Sequence, residues 1–279
     1  MTSFPRSPVR RIVAATDGSS HGDYAARVAR EIAAAAEAEL VVVAVTWPGQ
    51  SPPSIMMELP CADGHPPVTS ALAERVRCEV LVGYPSIEIV RTAEQLDASL
   101  LVIGRRPLVD VGDAMLGPTA DQIVRRSSVP CLVIPAGSWR GVPRILAAVD
   151  GTDRGAVVLA GAARVAELCR GSTRAVTVFP SPPMGGVEMM TDPMVGERVR
   201  RIAELRKDRG RRSVDVAPGP PVLVRHGDPV DEVLAEAGDG VDVVAVGMHR
   251  LGQPDSYLER GTARRILRRS TGAVLTVPL

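Results

Sequence analysis

The sequence predicts an α/β protein built from two tandem copies of one unit, each an open, twisted, parallel five-stranded sheet with helices on both faces. The first observation is internal repetition, because RRIVAATDGSSHGDYAARVA at residues 10–29 is matched 133 residues later by PRILAAVDGTDRGAVVLAGA at residues 143–162. The second is the alternation of short apolar runs with helical patterns, which is typical of βαβ units in a parallel sheet. Because the self-similarity recurs along the chain, each copy is expected to contribute about five strands.

The repeat divides the chain into two predicted domains, residues 1–137 and 143–279. A length of 279 residues with 45% hydrophobic residues is sufficient for two cores. The segment AGSWRGVP at residues 136–143 contains Gly and Pro and is therefore predicted to be a short linker. Three further matches support this division: residues 80–93 with 226–237, 99–104 with 241–247, and 117–135 with 261–278.

The strands and helices of the unit have separate signatures. The runs LVVVAV at residues 40–45 and LLVI at residues 100–103 lack polar alternation, as expected for strands buried on both faces. Ser19 and Thr152 stand where a helix N-cap is expected, with hydroxyls able to accept a bond from a backbone N–H. Apolar stripes at helical spacing follow these caps: Tyr24, Val28, Ile32 and Ala35 in copy one, and Val158, Ala162, Val165 and Cys169 in copy two.

The middles of the two copies differ. Residues 47–67 and 180–194 are rich in Pro and Met, and they are interpreted either as surface excursions or as a lid or partner-binding surface. Copy one leaves little room for a second helix, which is predicted to be short or absent. Copy two has room for a full helix at residues 195–212, whose arginines are expected to form a solvated face.

Composition excludes several classes of function. The formal net charge is +1 and the arginine cluster is not interleaved with aromatic residues, so neither nucleic acid nor a membrane is expected as a partner. The four cysteines, Cys61, Cys78, Cys131 and Cys169, lie far apart without a CxxC motif, which favours neither a metal site nor a disulfide framework. No signal-peptide pattern or membrane-spanning apolar run is present, and a cytoplasmic protein is expected.

A ligand site is predicted at the carboxyl ends of the strands. In open parallel sheets, ligands bind in the crevice outside those ends, where the strand order reverses. The first strands lead to Asp17 and Asp150, each followed by Gly, and the fourth strands lead to Gly104 and Gly247. Each fourth strand is followed by a loop and then by a helix predicted to open at Gly117 or Gly261, where backbone N–H groups and the helix dipole favour an anion.

These segments together resemble the universal stress protein family in its tandem form. The resemblance rests on the starts VAATDGSS and LAAVDGTD, the turns VGYP and HGDP, and the ends GPTADQIVRRSSVPCLVIP and GTARRILRRSTGAVLTVP. It implies flavodoxin-like domains, of the adenine nucleotide alpha hydrolase type, packed as an internal pseudo-dimer whose last strands meet. Some family members bind ATP and others do not, and the binding motif is similar to G-x2-G-x9-G-[S/T].

The resemblance also implies roles for residues at the first two strands. In members that bind ATP, the Asp after the first strand lies by the nucleoside, and a Val ending the second strand offers backbone groups to adenine. These roles fall on Asp17 and Val45 in copy one and on Asp150 and Val178 in copy two.

Copy one has lost half of the motif. Gly104 and Gly117 are present at the correct spacing, but Pro107 replaces the second Gly and Pro118 replaces the Ser/Thr. Proline has no N–H and a fixed φ, so neither Pro can donate to phosphate, although Pro118 suits a helix start. Thr119, in the first turn of that helix, completes the candidate set of this copy.

Copy two is better preserved. Gly247 is present, Arg250 stands in place of the second Gly, and Gly261 with Thr262 follows one residue late. Ala263 completes this set.

Cationic and imidazole side chains near the loops are additional candidates. Arg105, Arg106 and Arg250 are interpreted either as phosphate ligands or as solvated loop arginines. Among the four histidines, only His249 lies near the predicted crevice.

Two functions of different classes follow. The first is a non-enzymatic stress-response protein that binds ATP or another adenine nucleotide weakly and chiefly through copy two. The second is an interaction or regulatory module that has lost nucleotide binding and acts through a protein partner or a homodimer. No motif of nucleophilic, phosphate-loop or metallopeptidase catalysis is present, so no catalytic residue and no metal ligand are assigned.

Overall fold

The structure is a computed structural model, and it describes residues 10–54, 75–106, 116–179, 222–238, 240–250 and 259–279. The length of the second helix of copy one and the helix expected at residues 195–212 lie outside the described residues, as does most of the two segments rich in Pro and Met.

The described elements form two repeats of the same order. Repeat 1 contains β1 (Arg11–Thr16), α1 (Ser20–Ala36), β2 (Glu39–Thr46), β3 (Val76–Val82), α2 (Pro85–Gln95), β4 (Leu100–Arg105), α3 (Pro118–Arg126) and β5 (Cys131–Pro135). Repeat 2 contains β6 (Arg144–Ala148), α4 (Asp153–Leu168), β7 (Ser172–Phe179), β8 (Val222–His226), α5 (Pro229–Ala237), β9 (Val243–Met248), α6 (Glu259–Arg269) and β10 (Ala273–Pro278).

All ten strands belong to one continuous sheet of order β3-β2-β1-β4-β5-β10-β9-β6-β7-β8. The strands are parallel within each repeat, whereas β5 and β10 pair in antiparallel orientation, with Val133 opposite Val274. The last strands of the two repeats therefore meet, as the pseudo-dimer predicts. Each repeat has the order 3-2-1-4-5, which differs from the 2-1-3-4-5 order of flavodoxin in the strict sense, while the doubly wound α/β class is confirmed.

The eight inner strands of the sheet are covered on both faces because they are apolar on both, whereas the edge strands β3 and β8 are partly exposed. On one face, Ile12 and Ala14 of β1 and Ile145 of β6 pack with buried residues of α1 and α4. On the other face, Val13 of β1 and Val244 of β9 pack with buried residues of α2, α3, α5 and α6. Strands without polar alternation are expected in this setting, since neither face meets water.

The two predicted N-caps behave differently. Ser19 caps α1, and its hydroxyl accepts from the backbone N–H of Gly22 at 3.2 Å. Thr152 occupies the N-cap position of α4, but its hydroxyl donates to Oδ1 of Asp150 at 2.7 Å and makes no capping bond. The expectation of a hydroxyl cap is thus wrong for Thr152, whose hydroxyl belongs to the turn at Asp150 instead.

Candidate functional site

Each repeat has a crevice where the strand order reverses, between β1 and β4 in repeat 1 and between β6 and β9 in repeat 2. Ala15 pairs with Ile103, so Asp17 and Gly104 follow at the same edge of the sheet. Ala147 pairs with Ala245, which brings the loops after β6 and β9 to the corresponding edge of repeat 2. The structure therefore gathers the predicted Asp and first Gly of each copy at one crevice.

Asp17 forms a tight turn at the end of β1. Its Oδ1 accepts from the backbone N–H of Ser19 at 3.0 Å, and Gly18 takes a φ of +78°. Partial burial is the largest influence on the pKa of Asp17 and raises it, but the hydroxyl and backbone N–H of Ser19 outweigh burial and leave the pKa below its ordinary value. Asp17 is therefore an ionised carboxylate at neutral pH.

Asp150 forms the equivalent turn in repeat 2. Its Oδ1 accepts from the backbone N–H of Thr152 at 2.9 Å as well as from the hydroxyl, and Gly151 takes a φ of +76°. The Asp-Gly turns that the sequence predicts thus share one local geometry.

A further Gly in each repeat belongs to the same corner and was missed by the sequence reasoning. A Cβ built on Gly22 would lie 2.9 Å from Oδ1 of Asp17, and one built on Gly155 would lie 2.7 Å from Oδ1 of Asp150. The first turn of the following helix can approach the carboxylate this closely only without a side chain. The signal was available, because each Gly stands five residues after its Asp.

The two adenine-side candidates lie at similar positions. Val45 is half-buried near the end of β2 and pairs with Leu81, while Val178 is half-buried near the end of β7 and pairs with Arg225. The carbonyls of the next residues, Thr46 and Phe179, accept from N–H groups that follow the outermost strands. The backbone groups of Val45 and Val178 therefore face the inner strands, β1 and β6, because successive residues of a parallel strand bond to opposite neighbours.

In repeat 1, the chain after β2 lies against the Asp17 turn. A Cβ built on Gly18 would stand 3.0 Å from Cβ of Pro53, so Pro53 covers this side of the turn. The corresponding segment of repeat 2 lies outside the described residues.

The first Gly of each loop motif is required for packing, in different ways. A Cβ built on Gly104 would lie 2.2 Å from the backbone oxygen of His21, because the first turn of α1 rests directly on β4. A Cβ built on Gly247 would meet side chains instead, at 2.8 Å from Leu279 and 3.0 Å from Val158. Both glycines therefore have structural roles that need no ligand.

The helices after the loops begin as follows. In repeat 1, α3 begins at Pro118 with Gly117 as its N-cap, and Thr119 is exposed. In repeat 2, α6 is described from Glu259, directly after residues 251–258, which lie outside the described ranges. Gly261, where the helix was predicted to open, therefore already lies within it. Among the described residues, no atom lies within 4 Å of a Cβ built on Gly117 or on Gly261.

Thr262 and Ala263 are half-buried in α6. Pro107 and the loop around it lie outside the described residues.

Arg105 does not serve the crevice, and both interpretations made from the sequence are wrong. It is the last residue of β4, is only 4% exposed, and its guanidinium donates to the carbonyls of Leu267 and Ser270 in repeat 2. A third contact reaches the carbonyl of Gly272 at 3.4 Å. Arg105 therefore binds the C-terminal end of α6 rather than phosphate or solvent.

Arg250 also contacts the other repeat. Its guanidinium lies 3.4 Å from Oε1 of Glu94 in α2, and that oxygen accepts from the hydroxyl of Ser128 at 2.6 Å. His249 is half-buried beside it, and Arg106 is exposed. The ion pair leaves Arg250 exposed at the border between the repeats.

Within the described ranges, His, Cys, Asp and Glu side chains do not gather in groups of three or more that would hold a metal ion. In the same ranges, no helix has both the length and the apolar character needed to cross a membrane.

Comparison with solved structures supports the fold. A protein of unknown function from Pseudomonas aeruginosa PAO1 superimposes with a TM-score of 0.68 at 16% identity, covering 97% of this chain and 93% of its own. A universal stress protein from Archaeoglobus fulgidus superimposes with a TM-score of 0.67 at 17% identity, covering 98% and 99%.

Sequence relatives match about one repeat. A universal stress protein from Methanocaldococcus jannaschii is 28% identical over 138 residues, which are 45% of this chain and 81% of that protein. One from Thermus aquaticus is 31% identical over 144 residues, 45% of this chain and 98% of that protein. The model of the universal stress protein family matches twice, at residues 8–135 and 141–278. The chain therefore belongs to the universal stress protein family and carries two copies of its domain.

Proposed function

We propose that this protein is a non-enzymatic stress-response protein that binds an adenine nucleotide weakly, through the crevice of repeat 2. The observation that carries the proposal is the contrast between equivalent positions of α6 and α3. Gly261 and Thr262 lie near the described beginning of α6, with no described atom within 4 Å of a Cβ on Gly261, whereas Pro118 takes the equivalent place in α3.

Backbone donors account for the difference in phosphate binding. The first N–H groups of a helix have no carbonyl acceptor within the helix and, together with the dipole, attract an anion. Near the described beginning of α6, Gly261 keeps its backbone N–H. In α3, Pro118 has no N–H, so one donor is lost at the corresponding place.

The nucleoside side of the crevice in repeat 1 is obstructed by its own chain. In repeat 1, Pro53 lies against Gly18, next to the carboxylate that would face the nucleoside. Loss of a hydrogen bond to a charged group costs roughly 1.5–3 kcal/mol, while micromolar affinity needs about 8 kcal/mol. Losing two donors and the approach to Asp17 therefore moves repeat 1 out of the micromolar range.

Catalysis is not part of the proposal, because neither His21 nor His226 has the geometry of a general base. His226 stacks on Phe179 with ring centroids 5.8 Å apart, and Nδ1 of His21 is buried without a hydrogen-bond partner. Neither arrangement presents an imidazole to a nucleophile.

The test is a thermal-shift series with ATP, ADP, AMP and cyclic AMP on the full chain, with two matched variants. Saturation at 100 times the dissociation constant adds about 2.7 kcal/mol to the free energy of unfolding and raises the midpoint. Gly261→Glu places a carboxylate near the described beginning of α6, where space for it exists, and is expected to abolish the shift. Gly117→Glu makes the same change at an equally open position of repeat 1 and is expected to leave the shift intact.

Two results contradict the proposal. If no nucleotide at millimolar concentration moves the midpoint of the wild-type chain, nucleotide binding is wrong. If Gly117→Glu abolishes the shift and Gly261→Glu preserves it, the site lies in repeat 1.

A surface of repeat 1 favours the second candidate function, action through a protein partner. Trp47 and Tyr84 contact each other edge-to-face at 5.4 Å and are 49% and 65% exposed, beside Val82 at 60%. Exposed apolar side chains in one place favour a contact surface. This candidate function is supported if no nucleotide raises the unfolding midpoint and if Tyr84→Ser releases a partner that purifies with the wild-type chain.

A further inference from the structure

Apart from the β5–β10 pairing, several polar contacts between the repeats lie on or near one helix, α6. Arg105 of β4 donates to carbonyls at the end of α6, and Asp121 of α3 binds Arg264 in its middle with contacts of 3.0 and 3.2 Å. Glu94 of α2 binds Arg250, which lies on the chain leading from β9 toward α6. Residues of repeat 1 therefore fix the position of α6, the helix of repeat 2 that carries Gly261 and Thr262.

The arrangement is not reciprocal. Arg105 pairs with Pro135 in the ladder of β4 and β5, and Met248 pairs with Pro278 in the ladder of β9 and β10, so Arg105 and Met248 are equivalent. Met248 is 6% exposed and packs in the apolar core of the same face. At this position, repeat 2 therefore has a thioether side chain, whereas repeat 1 has a cation with several hydrogen-bond donors.

Arg105 is committed to this contact. Its side chain is buried, and burial lowers the pKa of its guanidinium to about 10. A buried cation persists only where acceptors compensate its lost hydration, and here the acceptors are the carbonyls of Leu267 and Ser270. Those carbonyls lie at the negative end of the α6 dipole, which favours a cation.

The position of one helix end fixes the position of the other. The 11 residues of α6 span about 16 Å at 1.5 Å per residue, with Leu267 near the held end and Gly261 near the opposite end. A shift of about 1 Å in a group that contacts a ligand lowers the interaction strongly. If the contacts between Arg105 and the C-terminal end of α6 weaken, the angle of the helix axis therefore changes and the opposite end near Gly261 moves.

We propose that repeat 1 acts as a fixed support for the nucleotide-binding helix of repeat 2, with Arg105 as its positioning residue. This inference rests on the proposed nucleotide site in repeat 2. It assigns a role to the repeat whose own crevice has lost the motif, since the support requires β4 and α3 but no ligand in repeat 1.

The experiment compares Arg105→Met with the wild-type full chain. Met is the residue that repeat 2 uses at the equivalent position, so its volume and polarity suit a buried site of this fold. We expect the dissociation constant of the adenine nucleotide, measured by calorimetry where both proteins are folded, to rise about 3- to 30-fold. Hydrogen exchange of the amides at residues 266–272, measured without nucleotide, is expected to accelerate.

Two further variants separate positioning from general effects. Arg27→Met removes an exposed arginine of α1, on the opposite face of the sheet, and is expected to change neither readout. Arg105→Lys keeps the charge but lacks the fork that reaches several carbonyls, and it is expected to give an intermediate affinity. If Arg105→Met does not fold, Arg105→Lys provides the comparison.

The outcomes are distinct. An unchanged dissociation constant in Arg105→Met or Arg105→Lys, with or without a lower melting temperature, overturns the positioning role and leaves the nucleotide site intact. If the wild-type chain binds no nucleotide, the proposed function and this inference fail together. Accelerated exchange in Arg105→Met then still reports that Arg105 holds α6.

Discussion

Asp121 and Arg264 occupy the same position in the two repeats and form an ion pair with each other, with Nη2 of Arg264 at 3.0 and 3.2 Å from the two carboxylate oxygens. The equivalence follows from Ser127 and Ser270, which end α3 and α6 in the same way and also lie 143 residues apart. In a symmetric dimer of identical chains, a residue on the two-fold axis faces its own copy. In this chain the two copies carry opposite charges there, so the interface is specific for the pair of unlike repeats.

Charge reversal tests this specificity. Asp121→Arg and Arg264→Asp each bring like charges together and are expected to lower the free energy of unfolding by about 1 kcal/mol, since the pair is partly exposed. The double variant restores opposite charges and is expected to recover most of this loss, measured by urea unfolding as a double-mutant cycle. Recovery is incomplete because Arg125 also contacts Asp121, at 3.6 Å. Additive losses in the double variant would contradict the pairing.

Gly104 and Gly247, the first Gly of each loop motif, are expected to differ in how well they tolerate replacement by Ala. Gly104→Ala is expected to lower the free energy of unfolding by about 3 kcal/mol, because the new methyl group meets the backbone oxygen of His21, which cannot move without shifting α1. Gly247→Ala is expected to cost about 1 kcal/mol, because it meets the flexible end of Leu279. Thermal and urea denaturation measure both. Equal losses in the two variants would show that the contacts around Gly104 and Gly247 are alike.

The repeat, the alternation of elements and the Asp turns could be predicted from the sequence because each depends on local chemistry. Asp17 and Asp150 accept bonds from residues two positions on, so the sequence alone contains both partners. The role of Arg105 depends on strand direction and on a partner in the other repeat. Arg105 is on the same face of β4 as Leu101 and Ile103, because the three residues follow at a spacing of two along the strand. This alternation was the sequence feature that indicated an inward position for Arg105.

The position of Pro53 against the Asp17 turn could not be predicted from a sequence pattern. Pro53 reaches Gly18 through a loop without a regular period, and its position depends on the packing of that loop. Sequence reasoning therefore found the loss of phosphate donors in copy one but not the obstruction on the nucleoside side.

Asp242 predicts a pH dependence of stability. Burial is the largest influence on its pKa and raises it, but hydrogen bonds from Arg144 and the charges of Arg144 and Arg140 outweigh burial and hold the pKa below 3.8. A carboxyl group with a lower pKa in the folded state stabilises the fold above pH 3.8, and this contribution is lost as the pH falls through the folded pKa. Asp242→Asn is therefore expected to be less stable than wild type by about 1–2 kcal/mol at pH 7, with a gap that narrows below pH 3.8.

The measurement is urea unfolding of both proteins between pH 7 and pH 3. Glu31→Gln is the control, because Glu31 is exposed on α1 and its change is expected to leave stability within about 0.5 kcal/mol. A gap between Asp242→Asn and wild type that stays constant over this range contradicts the role of the ionised carboxylate.

The two Asp turns give a matched test of which crevice takes a nucleoside. Asp150→Asn keeps the oxygen that accepts from the N–H and hydroxyl of Thr152, so the turn is expected to persist while the negative charge is lost. Because a hydrogen bond to a charged group contributes roughly 1.5–3 kcal/mol, the affinity for the adenine nucleotide is expected to fall about tenfold or more. Asp17→Asn makes the same change beside Pro53 and is expected to leave the affinity within about twofold, since repeat 1 contributes no carboxylate to the ligand. Calorimetric titration of the three full-length proteins measures the difference, and equal losses in both variants would place ligand contacts in both repeats.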